Sequence, residues 1–135
     1  MIVITDIHGR DKWKEVKDNT QDKIIFLGDY VDTYEEITNK EQLNNLLEII
    51  EFKKENMDRV VLLLGNHDMH YLYSDSFGKC SGYSHNKEKL FKPIFKENRD
   101  LFKIVHVEGN TIFSHAGISQ VWFDRQKLKD IENTN

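Results

Sequence analysis

Four short polar runs in this chain could do chemistry, because each places Asp, Asn or His directly after an apolar stretch. Carboxylate, amide and imidazole groups together suit Mn, Fe or Zn better than Ca or Mg, which prefer all-oxygen shells. The pattern therefore predicts a site for divalent metal ions. The runs are Asp6-Ile7-His8-Gly9, Gly28-Asp29-Tyr30-Val31-Asp32, Gly65-Asn66-His67-Asp68 and Ser114-His115-Ala116-Gly117.

The apolar stretches that precede these runs are short and rich in β-branched residues, as buried strands are. Strands lying side by side would collect the polar residues along one rim, where open α/β sheets bind ligands. A single Asp or His after one strand is more often a cap or turn residue. Four in succession, with glycines that allow sharp turns, favour a functional site. The stretches cover residues 2–4, 24–27, 60–64 and 112–113.

The spacing suggests how two metal ions could be held. Asp6 and His8 are two residues apart, so on an extended segment both point to the same side and can bind one ion. Asp29 could bridge that ion to a second, which Asn66 and His115 could bind. Two ions a few ångströms apart can hold a hydroxide between them and clamp the entering and leaving oxygens at phosphorus. The pattern therefore predicts hydrolysis of a phosphate ester.

A proton donor for the leaving group can also be identified. His67 is next to Asn66, and general acid catalysis contributes roughly a hundredfold to ten-thousandfold. Asp32 could bond to one imidazole nitrogen of His67 and so fix its tautomer. The alternative for Asp32 is a turn or helix-cap residue, since Asp often occupies such positions.

Length and composition predict one globular domain over residues 1–135. The net charge of -4 argues against a nucleic-acid partner, although it leaves a nucleotide substrate open. Cys80 is the single cysteine, which excludes an internal disulfide, favours a packed side chain and fits a reducing cytoplasm. No apolar run approaches membrane-spanning length, so we expect a cytoplasmic protein without membrane contact.

The intervening segments predict an α/β fold. Residues 10–17 suit a short amphipathic helix, and Thr38 with Glu41 forms a capping box that begins a longer helix, which should end near Asn56. A third strand over residues 59–64 would then complete two right-handed parallel crossovers.

The second half of the chain is less regular. Residues 69–84 lack a sustained period and indicate a loop, either a rim of the site or a surface connection. Residues 87–102 predict two short helical pieces, because Pro93 would break or start a helix. Residues 103–114 indicate a hairpin around Gly-Asn that would bring His115 to the rim.

Taken together, the four polar runs resemble the calcineurin-like metallophosphoesterase superfamily. The run Gly28-Asp29-Tyr30-Val31-Asp32 is most similar to the serine/threonine phosphoprotein phosphatase branch, including bacterial and phage enzymes. The resemblance extends from Asp6 to at least Gly117. It implies an αββα fold, in which helices flank a sandwich of two sheets, with a dinuclear metal centre at the sheet edge.

The resemblance also implies roles for individual residues. Asp6, His8 and Asp29 would bind the first of two divalent metals. Asp29, Asn66 and His115 would bind the second, and Asn66 would also contact the substrate. His67 and Asp32 would form the acid pair.

The chain departs from this superfamily in its last metal ligand, a further histidine expected well after Ser-His-Ala-Gly. None follows His115, which predicts a truncated or unusually short relative with an incomplete second sheet. We expect an intact first metal site, a weakened second one, and self-association through an uncovered sheet edge. Water, a partner chain, His70, His85 or His106 could supply the missing ligand, although each of these histidines better suits a surface or packing position.

A second departure concerns the substrate. The phosphatase branch has Arg directly after the second Asp, where this chain has Thr33. Arg10 and Arg125 are candidate replacements, because a guanidinium group can hold a phosphate through two hydrogen bonds. The alternative for both is a solvated surface residue. This departure weakens the case for a phosphoprotein substrate.

Three functions are consistent with these observations. The first is hydrolysis of phosphate monoesters, either phosphoproteins or small esters. The second is phosphodiester or nucleotide pyrophosphate hydrolysis, with a base stacked on a tyrosine. The third is a catalytically weak metal-binding module, favoured by the absent histidine and by Thr33, but opposed by the presence of both His67 and Asp32. The tyrosines are Tyr30, Tyr34, Tyr71 and Tyr73.

Overall fold

A computed structural model describes residues 1–116 and shows a mixed α/β fold, as the sequence predicts. In these residues the larger sheet is parallel, and its strands lie side by side in chain order: β1 (Ile2–Ile4), β2 (Ile24–Phe26), β3 (Val60–Leu63) and β4 (Phe102–Lys103). The helices are α1 (Trp13–Asn19), α2 (Asn39–Glu55), α3 (Asn66–Leu72) and α4 (His85–Glu97). A small antiparallel sheet follows, made of β5 (Val105–Glu108) and β6 (Thr111–Ser114).

The parallel sheet separates two apolar clusters, because successive strand residues point to opposite faces. On one face Ile24 and Phe26 pack with buried side chains from α1, α2, α3 and α4. On the other face Ile25 and Leu63 pack against Phe113 of β6. The described residues therefore form a helical layer and two sheets, which agrees with the predicted sandwich. None of the helices described is long and apolar enough to span a membrane.

The longest helix, α2, lies where the sequence predicts. The Thr38 side chain accepts a hydrogen bond from the Glu41 N–H at its start, and Asn56 is the C-terminal cap. Leu46 and Ile49 are fully buried against the sheet. Each such side chain contributes about 1.5–3 kcal/mol by leaving water, which fixes the helix on the sheet.

Two buried amides near the start of α2 hold the loops that carry the polar runs. Gln42 Oε1 accepts a hydrogen bond from the Asp32 N–H at 2.9 Å. Asn45 Nδ2 donates to the Arg10 carbonyl at 3.0 Å, and Asn45 Oδ1 accepts from the Trp13 indole at 2.9 Å. Because a buried polar group without a partner costs about 1–3 kcal/mol, these bonds fix both loops relative to the helix.

The prediction of a loop over residues 69–84 is wrong in its first part, because α3 continues to Leu72. Residues 67–72 are all buried. A helix surrounded by protein has no polar face, so its sequence lacks the alternation of an amphipathic helix. The segment after this helix is irregular, as expected.

The prediction of two short helices separated at Pro93 is also wrong. α4 runs unbroken from His85 to Glu97 with Pro93 inside it, and a single 3-10 turn follows at Arg99–Leu101. Proline removes the N–H that would donate to the Lys89 carbonyl one turn earlier. Pro93 and Lys89 are both exposed, so water can hydrate that carbonyl.

Two element boundaries also differ from the prediction. α1 begins at Trp13 rather than at residue 10, because the preceding residues form the turn after β1. Lys103 does not belong to the hairpin: it pairs with Leu63 in the parallel sheet, and the hairpin begins at Val105. The chain therefore changes sheets between these two residues, which places the hairpin against the opposite face.

Candidate metal centre and proton donor

The candidate site residues of the turns after β1 and β2 have an unusual backbone conformation. Asp6, His8, Asp29 and Asp32 have φ angles of 50°, 44°, 58° and 66°, and within residues 1–116 they are the non-glycine residues with positive φ. Such conformations cost about 1–3 kcal/mol each and concentrate at functional sites. All four residues were candidates from the sequence. The turns after β1 and β2 are therefore strained at the residues that carry the predicted chemistry.

The first predicted metal site has its three side chains together. His8 Nε2 lies 3.8 Å from Asp6 Oδ1 and 3.7 Å from Asp29 Oδ2. His8 Nδ1 donates a hydrogen bond to the Asp32 carbonyl at 2.7 Å. Because Nδ1 carries the proton, Nε2 has a lone pair directed at the two carboxylates. This donor set and tautomer fit a divalent cation.

The second group of predicted ligands also converges. His115 Nε2 lies 2.9 Å from Asn66 Oδ1 and 3.1 Å from Asp29 Oδ2, and its Nδ1 donates to the Leu27 carbonyl at 2.9 Å. Both ring nitrogens then face oxygen acceptors, an arrangement that suits either a protonated imidazole or a cation held between Nε2 and the two oxygens. The hydrogen bond with Asp29 raises the pKa of His115 for the same reason. The residues present therefore fit a metal ion.

Asp29 lies between both groups. Its Oδ1 accepts the His67 N–H at 3.0 Å, which leaves Oδ2 facing His8 and His115. Burial opposes ionisation of Asp29, but the hydrogen bonds from His115 and the His67 backbone outweigh it and hold its pKa below the ordinary value. Asp29 is therefore an ionised carboxylate at the position expected of a bridging ligand.

Cys80 orients the Asn66 amide, a role that sequence reasoning missed. Asn66 Nδ2 donates to Cys80 Sγ at 3.1 Å, so Oδ1 must point the opposite way, towards His115. The sequence interpretation of Cys80 as a packed residue left out this contact. No local signal could reveal it, because Cys80 lies in an irregular segment and reaches Asn66 only through the tertiary fold.

Asp68 is a second residue whose role was missed. It is fully buried, and its carboxylate accepts hydrogen bonds from three backbone N–H groups, those of Asp29, Tyr30 and Gly65. Burial and the neighbouring Asp29 carboxylate raise the pKa of Asp68 to about 8. Positive charge at the rim would oppose this shift, because it attracts both carboxyl groups in their ionised form. Asp68 joins the turn after β2 to the start of α3.

The predicted acid pair is in hydrogen-bonding contact. His67 Nδ1 donates to Asp32 Oδ2 at 2.9 Å, and both residues are buried. Burial opposes ionisation of Asp32, but hydrogen bonds from His70, Tyr71 and His67 outweigh it and lower its pKa to about 2. Asp32 is therefore a carboxylate at neutral pH and holds the ring of His67 through Nδ1.

Two nitrogens of the Arg10 guanidinium group bond to the turn that carries this residue. Its Nη2 donates to the Asp6 carbonyl and its Nε to the Ile7 carbonyl at 3.3 Å, so the side chain stabilises the strained turn after β1. Thr33 accepts the Glu35 N–H through its hydroxyl. Arg10 is exposed, and these contacts favour the alternative of a surface residue over that of a phosphate ligand. Arg125 lies outside the described residues.

The three histidines considered as substitute ligands are directed at other groups. His70 bonds to Asp32 and to the Cys80 N–H. His85 is exposed at the start of α4, and His106 Nε2 lies 2.9 Å from Glu108 Oε1. Their contacts favour the packing and surface interpretations.

The site combines carboxylates, an amide and imidazoles around one shared aspartate, at the strand ends of a parallel α/β sheet. This arrangement is that of a metal-dependent hydrolase. The profile of the calcineurin-like phosphoesterase family matches residues 1–135, and the chain belongs to that family. Membership supports metal-dependent hydrolysis of a phosphoester, in agreement with the sequence resemblance.

A curated relative also matches. A protein of Nitrosospira multiformis named symmetrical bis(5'-nucleosyl)-tetraphosphatase is 30% identical over 109 residues. The match covers 78% of this chain and 36% of the relative. The chain therefore spans little more than a third of the relative's length.

Proposed function

We propose that the chain hydrolyses phosphate esters with two divalent cations held at the rim of the parallel sheet. The observation that carries the proposal is the position of Asp29 Oδ2, which lies 3.7 Å from His8 Nε2 and 3.1 Å from His115 Nε2. One carboxylate oxygen thus faces a ligand of each predicted metal. The proposed ligands are Asp6, His8 and Asp29 for one cation, and Asp29, Asn66 and His115 for the other.

The chemistry is divided between the cations and the chain. When bound, the cations lower the pKa of water and neutralise charge on the phosphate oxygens. His67 supplies the proton for the leaving oxygen from Nε2, because its Nδ1 is held by Asp32. Asp32 remains ionised and stabilises the protonated ring before transfer. Mn, Fe or Zn as the bound metal, a cytoplasmic location, self-association and a single domain over residues 1–135 remain predictions.

The first substrate candidate is a phosphate monoester, either a phosphoprotein or a small ester. The second is a dinucleoside polyphosphate, which the name of the relative from Nitrosospira multiformis supports. Of the four tyrosines proposed to stack a base, Tyr30 and Tyr71 are fully buried, and the hydroxyl of Tyr73 accepts a hydrogen bond from Arg99. Tyr34 is 83% exposed and follows Asp32 by two positions.

Tyr34 is also held in place. Its hydroxyl lies 2.9 Å from Ser81 Oγ, in the same segment as Cys80, which contacts Asn66. An exposed ring fixed between two loops of the site can stack on a nucleobase without losing much side-chain freedom. This observation favours the dinucleotide candidate.

Substrate assays with added Mn²⁺ test the proposal. We expect the purified chain to hydrolyse at least one of three probes: an aryl phosphate monoester, a bis-aryl phosphodiester and diadenosine tetraphosphate. Asp29→Asn and His67→Ala should each lower turnover of the active probe, whereas His85→Ala, an exposed control, should not. Absence of turnover in all three assays, with metal bound, would support the catalytically weak module instead.

A further inference from the structure

A second imidazole contacts the carboxylate that holds His67. His70 is fully buried on α3, and its Nε2 lies 2.8 Å from Asp32 Oδ2. This is the same oxygen that His67 Nδ1 contacts at 2.9 Å. The reaction proposed above does not use His70. A fully buried polar side chain on a functional carboxylate needs an explanation of its own.

The contacts of His70 establish which ring nitrogen carries its proton. The Cys80 N–H donates to His70 Nδ1 at 3.0 Å, so Nδ1 is the unprotonated acceptor. Nε2 then carries the proton and donates it to Asp32. His70 is therefore neutral, with neither nitrogen free for a metal ion. Although Asp32, His67 and His70 are close enough to form a ligand group, their hydrogen bonds to one another argue against that role.

The other carboxylate oxygen of Asp32 has its own donors. Oδ1 accepts a hydrogen bond from Tyr71 Oη at 2.6 Å and lies 3.4 Å from Lys87 Nζ. The ring of Tyr71 also packs edge-on against His70, with centroids 4.2 Å apart. Hydrogen-bond donors therefore contact both oxygens of the Asp32 carboxylate. Without a donor at Oδ2 besides His67, it could turn towards Tyr71 and Lys87.

We propose that His70 is a positioning residue for His67, an inference that rests on the proposed role of His67 as proton donor. His70 does not touch the substrate, and no bond to it is made or broken. It fixes Oδ2 of Asp32, and Oδ2 fixes the ring of His67 so that Nε2 keeps one direction. Because a proton donor matters most for a poor leaving group, losing His70 should slow some substrates more than others.

The experiment compares two phosphate esters of the class that the chain hydrolyses, monoesters or diesters, that differ in leaving group. A nitrophenyl phosphate releases a stabilised phenolate that needs little protonation, whereas an alkyl phosphate releases an alkoxide that needs a proton. His70→Leu should lower kcat for the alkyl ester by about tenfold or more, a smaller loss than removal of the acid itself, and leave the nitrophenyl ester nearly unchanged. His70→Gln retains an N–H near the Nε2 position and should restore much of the alkyl activity.

Three controls separate positioning from a folding defect. Leu72→Ala removes a buried side chain from the same helix and should lower stability without dependence on the leaving group. His67→Ala should show the leaving-group dependence in full. In the His67→Ala background, His70→Leu should cause no further loss on the alkyl ester, because coupled residues are not additive.

The outcomes distinguish the two proposals. Equal losses of His70→Leu on both esters, additive losses with His67→Ala, or no recovery in His70→Gln would overturn the inference about His70. Absence of leaving-group dependence in His67→Ala itself would overturn the proposed role of His67. If His70→Leu does not fold, His70→Asn takes its place, because its shorter amide can still accept the Cys80 N–H but cannot reach Asp32. His70→Asn should then show the loss on the alkyl ester that His70→Gln does not, and equal turnover in the two variants would overturn the inference.

Discussion

His115 Nε2 lies 2.9 Å from Asn66 Oδ1, although 49 residues separate them in the chain. The hairpin brings His115 to this place, since its Nδ1 is held by the Leu27 carbonyl at the end of β2. Three elements distant in sequence therefore complete one ligand group. The two proposed metal positions share Asp29 and otherwise use different side chains, so they can be tested separately.

We predict that His8→Ala and His115→Ala each lower the affinity of one metal ion. Each variant removes an imidazole from one group and leaves the other group intact. Losing a residue that only holds a metal ligand in place lowers metal affinity by about tenfold to a hundredfold. Losing a ligand itself should therefore lower the affinity of the affected site by at least about tenfold. Calorimetric titration of the metal-free chain with Mn²⁺ measures both sites. Equal weakening of both sites by either variant would contradict the assignment of separate ligands.

The contact between Cys80 and Asn66 predicts an indirect effect on metal binding. Cys80→Ala removes the acceptor for Asn66 Nδ2, which frees the amide to turn and move Oδ1 away from His115. We expect the affinity for Mn²⁺ to fall by about tenfold to a hundredfold. Cys80→Ser offers an oxygen acceptor and should bind nearly as well as wild type. A loss as large in Cys80→Ser as in Cys80→Ala would show that packing, rather than amide orientation, is responsible.

The turn after β2 and the start of α3 approach each other so closely that Gly65 should not be replaceable. A Cβ at Gly65 would overlap the carboxylate of Asp29, and Gly28 opposite it has a φ of 106°. Gly65→Ala should therefore displace Asp29 and weaken Mn²⁺ binding. Gly78→Ala is the matched control, because no atom lies within 4 Å of its added Cβ. Thermal melts measured by circular dichroism, together with metal titration, should show a defect only in Gly65→Ala.

Much of the fold could be predicted because its strands are short, β-branched and followed by polar residues. Ile24–Phe26 and the capped helix beginning at Asn39 lie close to their predicted bounds. The failures have a common cause, which is tertiary environment. α3 is buried on all sides and so carries no amphipathic pattern, and α4 tolerates Pro93 because the affected turn faces water. Neither property can be read from local sequence.

The candidate site also contains residues that the sequence pattern predicted and residues whose roles depend on the tertiary fold. The sequence pattern predicted that Asp6, His8 and Asp29 lie together, and they do, because side chains at neighbouring strand ends meet at one rim. It did not identify Asp68, which acts through hydrogen bonds to backbone N–H groups. Such a role depends on the three-dimensional course of the backbone and leaves no trace in residue spacing. The structure was therefore needed to find the contacts of side chains that are not proposed metal ligands.

The exposed ring of Tyr34 leads to a prediction about substrate choice. If the second substrate candidate is right, Tyr34→Ala should raise KM for diadenosine tetraphosphate by about fivefold or more, because base stacking on an aromatic ring contributes about 1–3 kcal/mol. Hydrolysis of an aryl phosphate should be unaffected. Tyr34→Phe keeps the ring and loses only the contact with Ser81 that fixes it, so its KM should rise less than that of Tyr34→Ala. An unchanged KM in Tyr34→Ala would exclude a stacking role.

The lowered pKa of Asp32 predicts how stability depends on pH. Burial opposes its ionisation, but hydrogen bonds from His70, Tyr71 and His67 hold its pKa at about 2, below the value of 3.8 for a free carboxyl. The folded state therefore favours the carboxylate. Its contribution of about 2 kcal/mol is present above the unfolded pKa and is lost as the pH falls towards the folded pKa.

Asp32→Asn cannot ionise and should lack this pH-dependent part. The difference in free energy of unfolding between wild type and Asp32→Asn should shrink by about 2 kcal/mol between about pH 6 and about pH 2. Urea denaturation of the chelator-treated chain at several pH values measures this difference, and removing metal first prevents its release from contributing. The other carboxylates are common to both proteins and cancel in the comparison. A difference that is constant across this range would mean that Asp32 is not held as a carboxylate by its three hydrogen-bond donors.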